Sequence, residues 1–346
     1  TPHVAGGMRL EITRKKCIEI AREKLRRYLA GEPLMNRARF FKLLTFGGSD
    51  TYSLQTSPVS RHSFTLFKLS FNLLQHTTAE FDSISAANPA LYLSLQNQFV
   101  PSMSYTYTYD DVSKGKRGNI WWESSVTSAG NITSLLFAAF GQNLKQEGKN
   151  QMGNPFSQFA KFTSEIRYTY KIDRNQSLAT RFMAGVLLAY GNAKVAPYNE
   201  QFYIGGANSI RAFTIRSIGP GSYRPPEKNK YSYIDQTGNF KLEANVEYRF
   251  RIAGNLFGAT FLDAGNIWLL KPDPARPGGQ LDTRNFWREI ALGTGVGIRY
   301  DLTFIVLRLD MGIALHDPYQ TDKRSYYNIP KFKNGIGLHF AIGYPF

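Results

Sequence analysis

The order of residues at the C-terminal end of this chain restricts its fold more than any other feature. Ile336, Leu338, Phe340, Ile342, Tyr344 and Phe346 alternate with Gly335, Gly337, His339, Ala341, Gly343 and Pro345. Successive side chains of a strand point to opposite faces, so one face here is apolar and aromatic and the other small or polar. A helix would scatter the same residues around its circumference. The run has the length of one tilted strand crossing a bilayer, about 9–11 residues.

The period recurs upstream. Leu292, Thr294, Val296, Ile298 and Tyr300 oppose Gly293, Gly295, Gly297, Arg299 and Asp301. Ile305, Leu307, Leu309, Met311 and Ile313 oppose Arg308, Asp310 and Gly312, and Val246, Tyr248, Phe250 and Ile252 oppose Asn245, Glu247, Arg249 and Arg251. Similar two-faced runs cover 178–190, 166–172, 105–109 and 67–73, which gives roughly ten strands after residue 60. Mid-strand charges keep to one parity. A soluble sandwich also has two-faced strands. The terminal aromatic residue, the tyrosine-rich faces suited to interfacial girdles and the long polar loops at 110–119, 141–157, 221–239 and 271–289 favour an all-β transmembrane antiparallel barrel instead.

Composition bears on what such a barrel can do. No apolar run reaches the roughly 18 residues of a membrane helix. The formal charge of +16 is spread along the chain with no nucleic-acid motif, so a basic lumen and loops near anionic headgroups explain it and no nucleic acid is expected as a partner. The single cysteine, Cys17, excludes a disulfide framework and a multi-thiolate metal site. The chain starts Thr1-Pro2-His3, without a charged n-region and apolar h-region, as a mature or partial exported chain would. With no Gly-x-Ser-x-Gly elbow, His-Glu-x-x-His pair or phosphate-binding glycine loop, a non-enzymatic protein without cofactor or metal is expected. Residues 1–60 read as a separate N-terminal segment, since Ile18, Ala21, Leu25, Tyr28 and Leu29 fall at helical spacing among basic residues. That helix could lie on a membrane surface, within a loop or at a junction. The barrel domain is expected over 61–346.

Strand parity places several acids inward, Glu247 and Asp263 among them. Glu247 shares the inward parity of Asn245 and Arg249, and Asp263 that of Phe261 and Gly265. Between the strands at 178–190 and 242–252 lies Tyr198-Asn-Glu-Gln-Phe-Tyr-Ile-Gly-Gly-Ala-Asn-Ser-Ile-Arg-Ala-Phe-Thr-Ile-Arg-Ser-Ile-Gly-Pro-Gly221. Its Phe202, Gly205, Gly206, Ser209, Ile210, Arg211, Phe213, Gly219 and Pro220 resemble the lid loop of the BamA/TamA-type outer-membrane assembly factors, the bacterial surface antigen barrel family. Ala212 stands where that family usually has glycine. Leu242 to Phe250 and Phe261-Leu-Asp-Ala-Gly-Asn-Ile-Trp268 are similar to the two strands that follow the lid. Arg61-His62, Gln98-Phe99 and Tyr105 to Asp110 are reminiscent of the Bacteroidetes TamA-like branch.

The resemblance implies the C-terminal part of a sixteen-strand-type barrel, preceded in the family by periplasmic POTRA domains, with an inward-folded lid over 198–221. It implies that Arg211 enters the lumen and meets Glu247 and Asp263, which a confined guanidinium needs as partners. It further implies a lateral seam between weakly paired first and last strands, through which proteins are assembled, inserted or translocated. The implied partners are outer-membrane lipids, unfolded outer-membrane or secreted clients, and periplasmic or lipoprotein partners. Phe340, Ile342, Tyr344 and Phe346 resemble the C-terminal strand signal by which such machines recognise barrels. A two-partner-secretion pore shares the lid motif and remains open as an alternative, as does a passive channel.

Overall fold

The fold is described from a computed structural model, over residues 42–75, 77–79, 82, 97–112, 115–141, 150–151, 154–224, 236–321, 325–329 and 335–346. The helix expected at 18–29 lies outside the described residues. Eleven antiparallel strands form one sheet in the order β1-β2-β3-β4-β7-β8-β9-β10-β11-β12-β13. They are β1 (Lys42–Ser57), β2 (Ser60–Gln75), β3 (Gln98–Asp110), β4 (Gly118–Ala129), β7 (Phe159–Lys171), β8 (Gln176–Ala189), β9 (Phe240–Ala253), β10 (Leu256–Trp268), β11 (Ala291–Asp301), β12 (Val306–His316) and β13 (Ile336–Ile342). The connection after β4 holds helix α1 (Asn131–Ala139) and the two-residue strands β5 (Asn150–Gln151) and β6 (Asn154–Pro155). Among the described residues no pairing joins β1 to β13.

Hydrophobicity is inverted relative to a soluble fold. Val246, Leu262, Val296, Ile298, Leu309, Leu338 and Phe340 are exposed, while Glu247, Asp263, Arg299 and Asp310 are fully buried. An apolar exterior around a charged interior is what a strand with one face in hydrocarbon requires. No helix of the described residues is long and apolar enough to cross a membrane. Tight turns at 58–59, 172–175, 254–255 and 302–305 lie along one rim, and the long connections 130–158, 190–239, 269–290 and 317–335 along the other.

Two local irregularities decide where alternation stops being readable. In β2 the exposed large apolar residues are Phe64 and Leu66 and then, out of step, Phe67. The register against β3 jumps between Thr65 and Lys68, and against β1 between Asp50 and Thr51. This bulge inserts a residue and returns the apolar set to the exterior. β1 itself lies upstream of residue 61, so the sheet extends further toward the N-terminus than the expected domain boundary. The second irregularity corrects the reading of the C-terminal strand. Pairing ends at Ile342, and Gly343, at φ +84°, turns the chain. Phe340 and Ile342 stay on the exterior, but Tyr344 and Phe346 leave the strand. Their ring centroids lie 4.4 and 5.7 Å from the guanidinium of Arg249, an inner-face residue of β9. A left-handed glycine ends the pleat, and with it any inference from parity.

Candidate functional site

The β8–β9 connection folds back along the inner face. A bridge between Phe202 and Gly238 closes its base. From there Phe202, Ile204, Ile210 and Ile218 enter an apolar cluster with Leu187, Ile267, Ala291 and Phe159 of the wall. Each such burial contributes about 2 kcal/mol. The loop thus supplies one side of the core that a sheet of this kind cannot make alone. Within the loop, Gly205 has φ +92° and an added Cβ would lie 2.4 Å from the Thr214 carbonyl oxygen, so only glycine fits there. Gly206 also has positive φ, and its N–H donates to the Phe213 carbonyl at 2.8 Å.

At the inner tip of the loop sits Arg211, with no solvent exposure. Its Nε and Nη2 donate to the two oxygens of Asp263 on β10, each at 2.9 Å, and its own backbone N–H donates to the same carboxylate at 3.0 Å. Nη1 donates to Glu247 on β9. The guanidinium also lies over the Phe261 ring, 3.5 Å from its centroid. Planar bidentate pairing plus stacking is the arrangement in which arginine tolerates burial and lysine does not. Glu247 and Asp263, both inward by strand parity, therefore meet Arg211.

The cluster extends beyond these three residues. Glu247 also accepts from Arg299 of β11 at 3.0 Å and from Arg249 at 2.7 Å, and Arg299 donates to Asp310 of β12 at 2.5 Å. Arg211, Arg299 and Arg308 face Glu247, Asp263 and Asp310, all six essentially without exposure. Balanced charge of this kind is what makes burial tolerable. The neighbouring loop residues are fastened as well. Ser209 Oγ donates to Glu243 at 2.9 Å, and Asn245 Nδ2 donates to the Ser209 carbonyl at 3.0 Å. Arg181 of β8 donates to the Asn208 carbonyl at 3.0 Å, and Arg308 of β12 to the Asn208 side-chain oxygen. Asn208, Glu243 and Arg181 were not singled out from the sequence. Inward parity marks the last two, but nothing in Asn208 announces its role.

Glycines make room for the tip. A Cβ at Gly312 would lie 2.3 Å from the Arg211 carbonyl oxygen, and one at Gly337 2.9 Å from it. A Cβ at Gly293 would lie 2.5 Å from that of Ala212. This explains why Ala212 is accommodated: its backbone is not left-handed, and its methyl group occupies space that Gly293 leaves open. The loop leaves along β10. Gly219-Pro220 is a cis peptide, Gly221 N–H donates to the Ile267 carbonyl at 2.7 Å, and Asn266 Nδ2 donates to the Gly221 carbonyl at 3.0 Å. Next to this exit, Glu289 accepts from the Trp268 indole at 2.6 Å. Its carboxyl is held above the usual range by burial, with the charge of Asp282 adding to the effect. Among the described residues no set of three or more His, Cys, Asp or Glu could hold a metal ion.

The arrangement fastens one loop to six consecutive strands, β8 to β13, on the face away from lipid. Comparison with known proteins agrees with this architecture. The family description "Omp85 superfamily domain" matches residues 36–346. The outer membrane protein assembly factor BamA of Neisseria meningitidis serogroup B is 28% identical over 117 residues, which are 32% of this chain and 14% of that protein. Among solved structures, BamA from Haemophilus ducreyi lacking POTRA domains 1-3 superposes with a TM-score of 0.55 at 14% identity, over 89% of this chain and 56% of that one. CdiB from Escherichia coli superposes with a TM-score of 0.50 at 14% identity, over 87% of this chain and 45% of that one. The chain therefore spans about half of these structures, and at such identity they show the fold alone. With its matched span, inverted exterior and inward loop, the chain is an outer-membrane β-barrel protein that belongs to the Omp85 superfamily.

Proposed function

We propose that this barrel assembles, inserts or translocates proteins at the outer membrane, without enzymatic chemistry or a cofactor, by opening a lateral seam beside its C-terminal strands. The observation that supports this best is the fastening of the loop to the inner face of the C-terminal strands, beside the short last strand β13. A strand edge in hydrocarbon leaves N–H and C=O groups unsatisfied, so a client strand that pairs there is favoured. β13 is short, and Gly337 within it and Gly343 just after it weaken its pairing with any fixed neighbour. In this reading Gly205 to Pro220 form the lid, Arg211 is its latch, and Glu247 and Asp263 are the latch's partners. Phe340, Ile342, Tyr344 and Phe346 are the signal by which the chain is itself recognised.

The finer assignments belong to the same proposal. Arg61-His62 and Gln98-Phe99 support a place in the TamA-like branch. Clients are unfolded outer-membrane or secreted proteins, and periplasmic domains or lipoproteins deliver them. A second reading, a two-partner-secretion pore, rests on the lid motif Gly205 to Pro220, which such pores share.

Reconstitution in phospholipid vesicles separates the readings. Vesicles holding the protein should speed the folding of a urea-unfolded barrel client, scored by heat-modifiable migration, well above empty vesicles. Unchanged client folding together with rapid sugar-driven swelling would instead identify a channel.

A further inference from the structure

Helix α1 has its polarity turned around. Residues 130–141 read Gly-Asn-Ile-Thr-Ser-Leu-Leu-Phe-Ala-Ala-Phe-Gly, with no charged residue. A helix capping a rim in water buries its apolar residues and exposes its polar ones. Here Thr133 and Ser134 are buried, whereas Ile132, Leu135, Leu136 and Phe140 are 54%, 64%, 56% and 85% exposed. Their spacing of three, one and four residues puts them on one face.

The attachments of α1 show which side of the sheet it occupies. Asn131 Nδ2 donates to Ser128 Oγ at 2.7 Å and to the Tyr190 hydroxyl at 2.8 Å, and Gln158 Nε2 donates to Asn131 Oδ1 at 2.9 Å. Ser128 has the parity of the exposed Trp122 and Val126 on β4, and Tyr190 that of Phe182 and Leu188 on β8. Phe137 stacks on Phe156 at 5.8 Å, and Phe156 bridges to Phe99, which has the outward parity of Met103 and Tyr105 on β3. Each of these contacts lies on the lipid-facing side. The apolar face of α1 is therefore continuous with the apolar exterior of β4 and β8.

We propose that α1 is a membrane-embedded interfacial helix, with Ile132, Leu135, Leu136 and Phe140 inserted among the acyl chains of the leaflet at the long-loop rim. A helix lying in the interface buries its apolar face about 5–10 Å deep at the boundary of headgroups and chains. There it extends the lipid-facing belt outward from the shortened end of β4.

The test uses the full chain with Cys17→Ser, carrying Leu136→Cys or, as a water-facing comparison, Ala275→Cys on the exposed β10–β11 connection. Each thiol is labelled with a nitroxide and the protein is reconstituted in phosphatidylcholine vesicles, with heat-modifiable migration confirming the folded barrel. Relaxation by oxygen relative to a water-soluble nickel chelate should be several-fold higher at Leu136 than at Ala275, and Leu135→Cys should repeat the result. Equal chelate access at the two positions would overturn the proposal by placing the helix in water. Protection of Leu136 from both relaxants would overturn it by placing the helix against protein.

Discussion

Along β3 and β4 the inner face carries Thr106, Thr108, Ser125 and Thr127, and Thr106 bonds Ser125 while Thr108 bonds Glu123. Along β8–β13 the inner face carries Arg181, Glu247, Asp263, Arg299, Arg308 and Asp310, interleaved with glycines and covered by a loop. The hydroxyl bonds near β1 and β2, Thr51 with Thr65 and Ser53 with Ser63, remain exposed. The two regions share strand geometry and exterior but differ in what their inner face demands. Hydroxyls satisfied by neighbours or water need nothing above them. A set of buried guanidiniums and carboxylates must be completed by its last member, and that member, Arg211, is carried on the loop. The charged half of the sheet therefore dictates where the loop rests, and the hydroxyl-lined half does not.

This contrast is broken most severely by Arg211→Ala. Removing one partner of a buried ion pair costs about 3–5 kcal/mol, so the barrel should lose heat-resistant migration at a lower temperature and the 198–221 loop should become open to protease. Arg211→Lys should fall between, since it keeps the charge but forfeits the bidentate contact and the Phe261 stack. Next in size is Gly312→Ala, whose new methyl group meets the Arg211 carbonyl and should cost about 1–3 kcal/mol by overpacking. Gly48→Ala in β1 meets nothing within 4 Å and should leave unfolding in denaturant unchanged. Equal effects of the two glycine variants would remove the distinction between the halves.

A smaller effect is expected at the loop exit. The Glu289 carboxyl is raised by burial, so its neutral form is favoured in the folded rim. Stability from this source is present at low pH and lost as pH rises through the raised value. Glu289→Gln should flatten that dependence, read as protease cleavage within 270–286 across pH 4–8. A wild-type profile already flat over this range would contradict the assignment. A small effect is also expected from Thr106→Val with Ser125→Ala, which should change stability by no more than about 1 kcal/mol. A larger loss there would show that the hydroxyl face is also a core.

Much of this fold was legible because a membrane strand declares both of its faces at period two. The inward parity of Glu247 and Asp263 followed from counting along β9 and β10 alone. β1 was missed because Gly47-Gly48 and the β2 bulge around Leu66 break the period on which the count depends. Tyr344 and Phe346 were placed outward because alternation in sequence continues past Gly343, where the pleat does not. α1 was passed over because its apolar residues at 132, 135, 136 and 140 lie inside a long connection and face lipid rather than a core. The packing of Ala212 against Gly293 and of Asn208 beneath Arg308 depends on the path of a loop across six strands. No local pattern encodes that path.

A double-mutant cycle between Arg211→Ala and Asp263→Ala, followed as unfolding free energy in detergent, tests the latch directly. If the loop is held by this pair, either single change removes the same contact, and the double variant should be little worse than each alone, with a coupling about as large as the smaller single loss, about 3 kcal/mol. Single losses that simply add, or single variants as stable as the parent, would mean that the guanidinium and the carboxylate are neighbours without being partners.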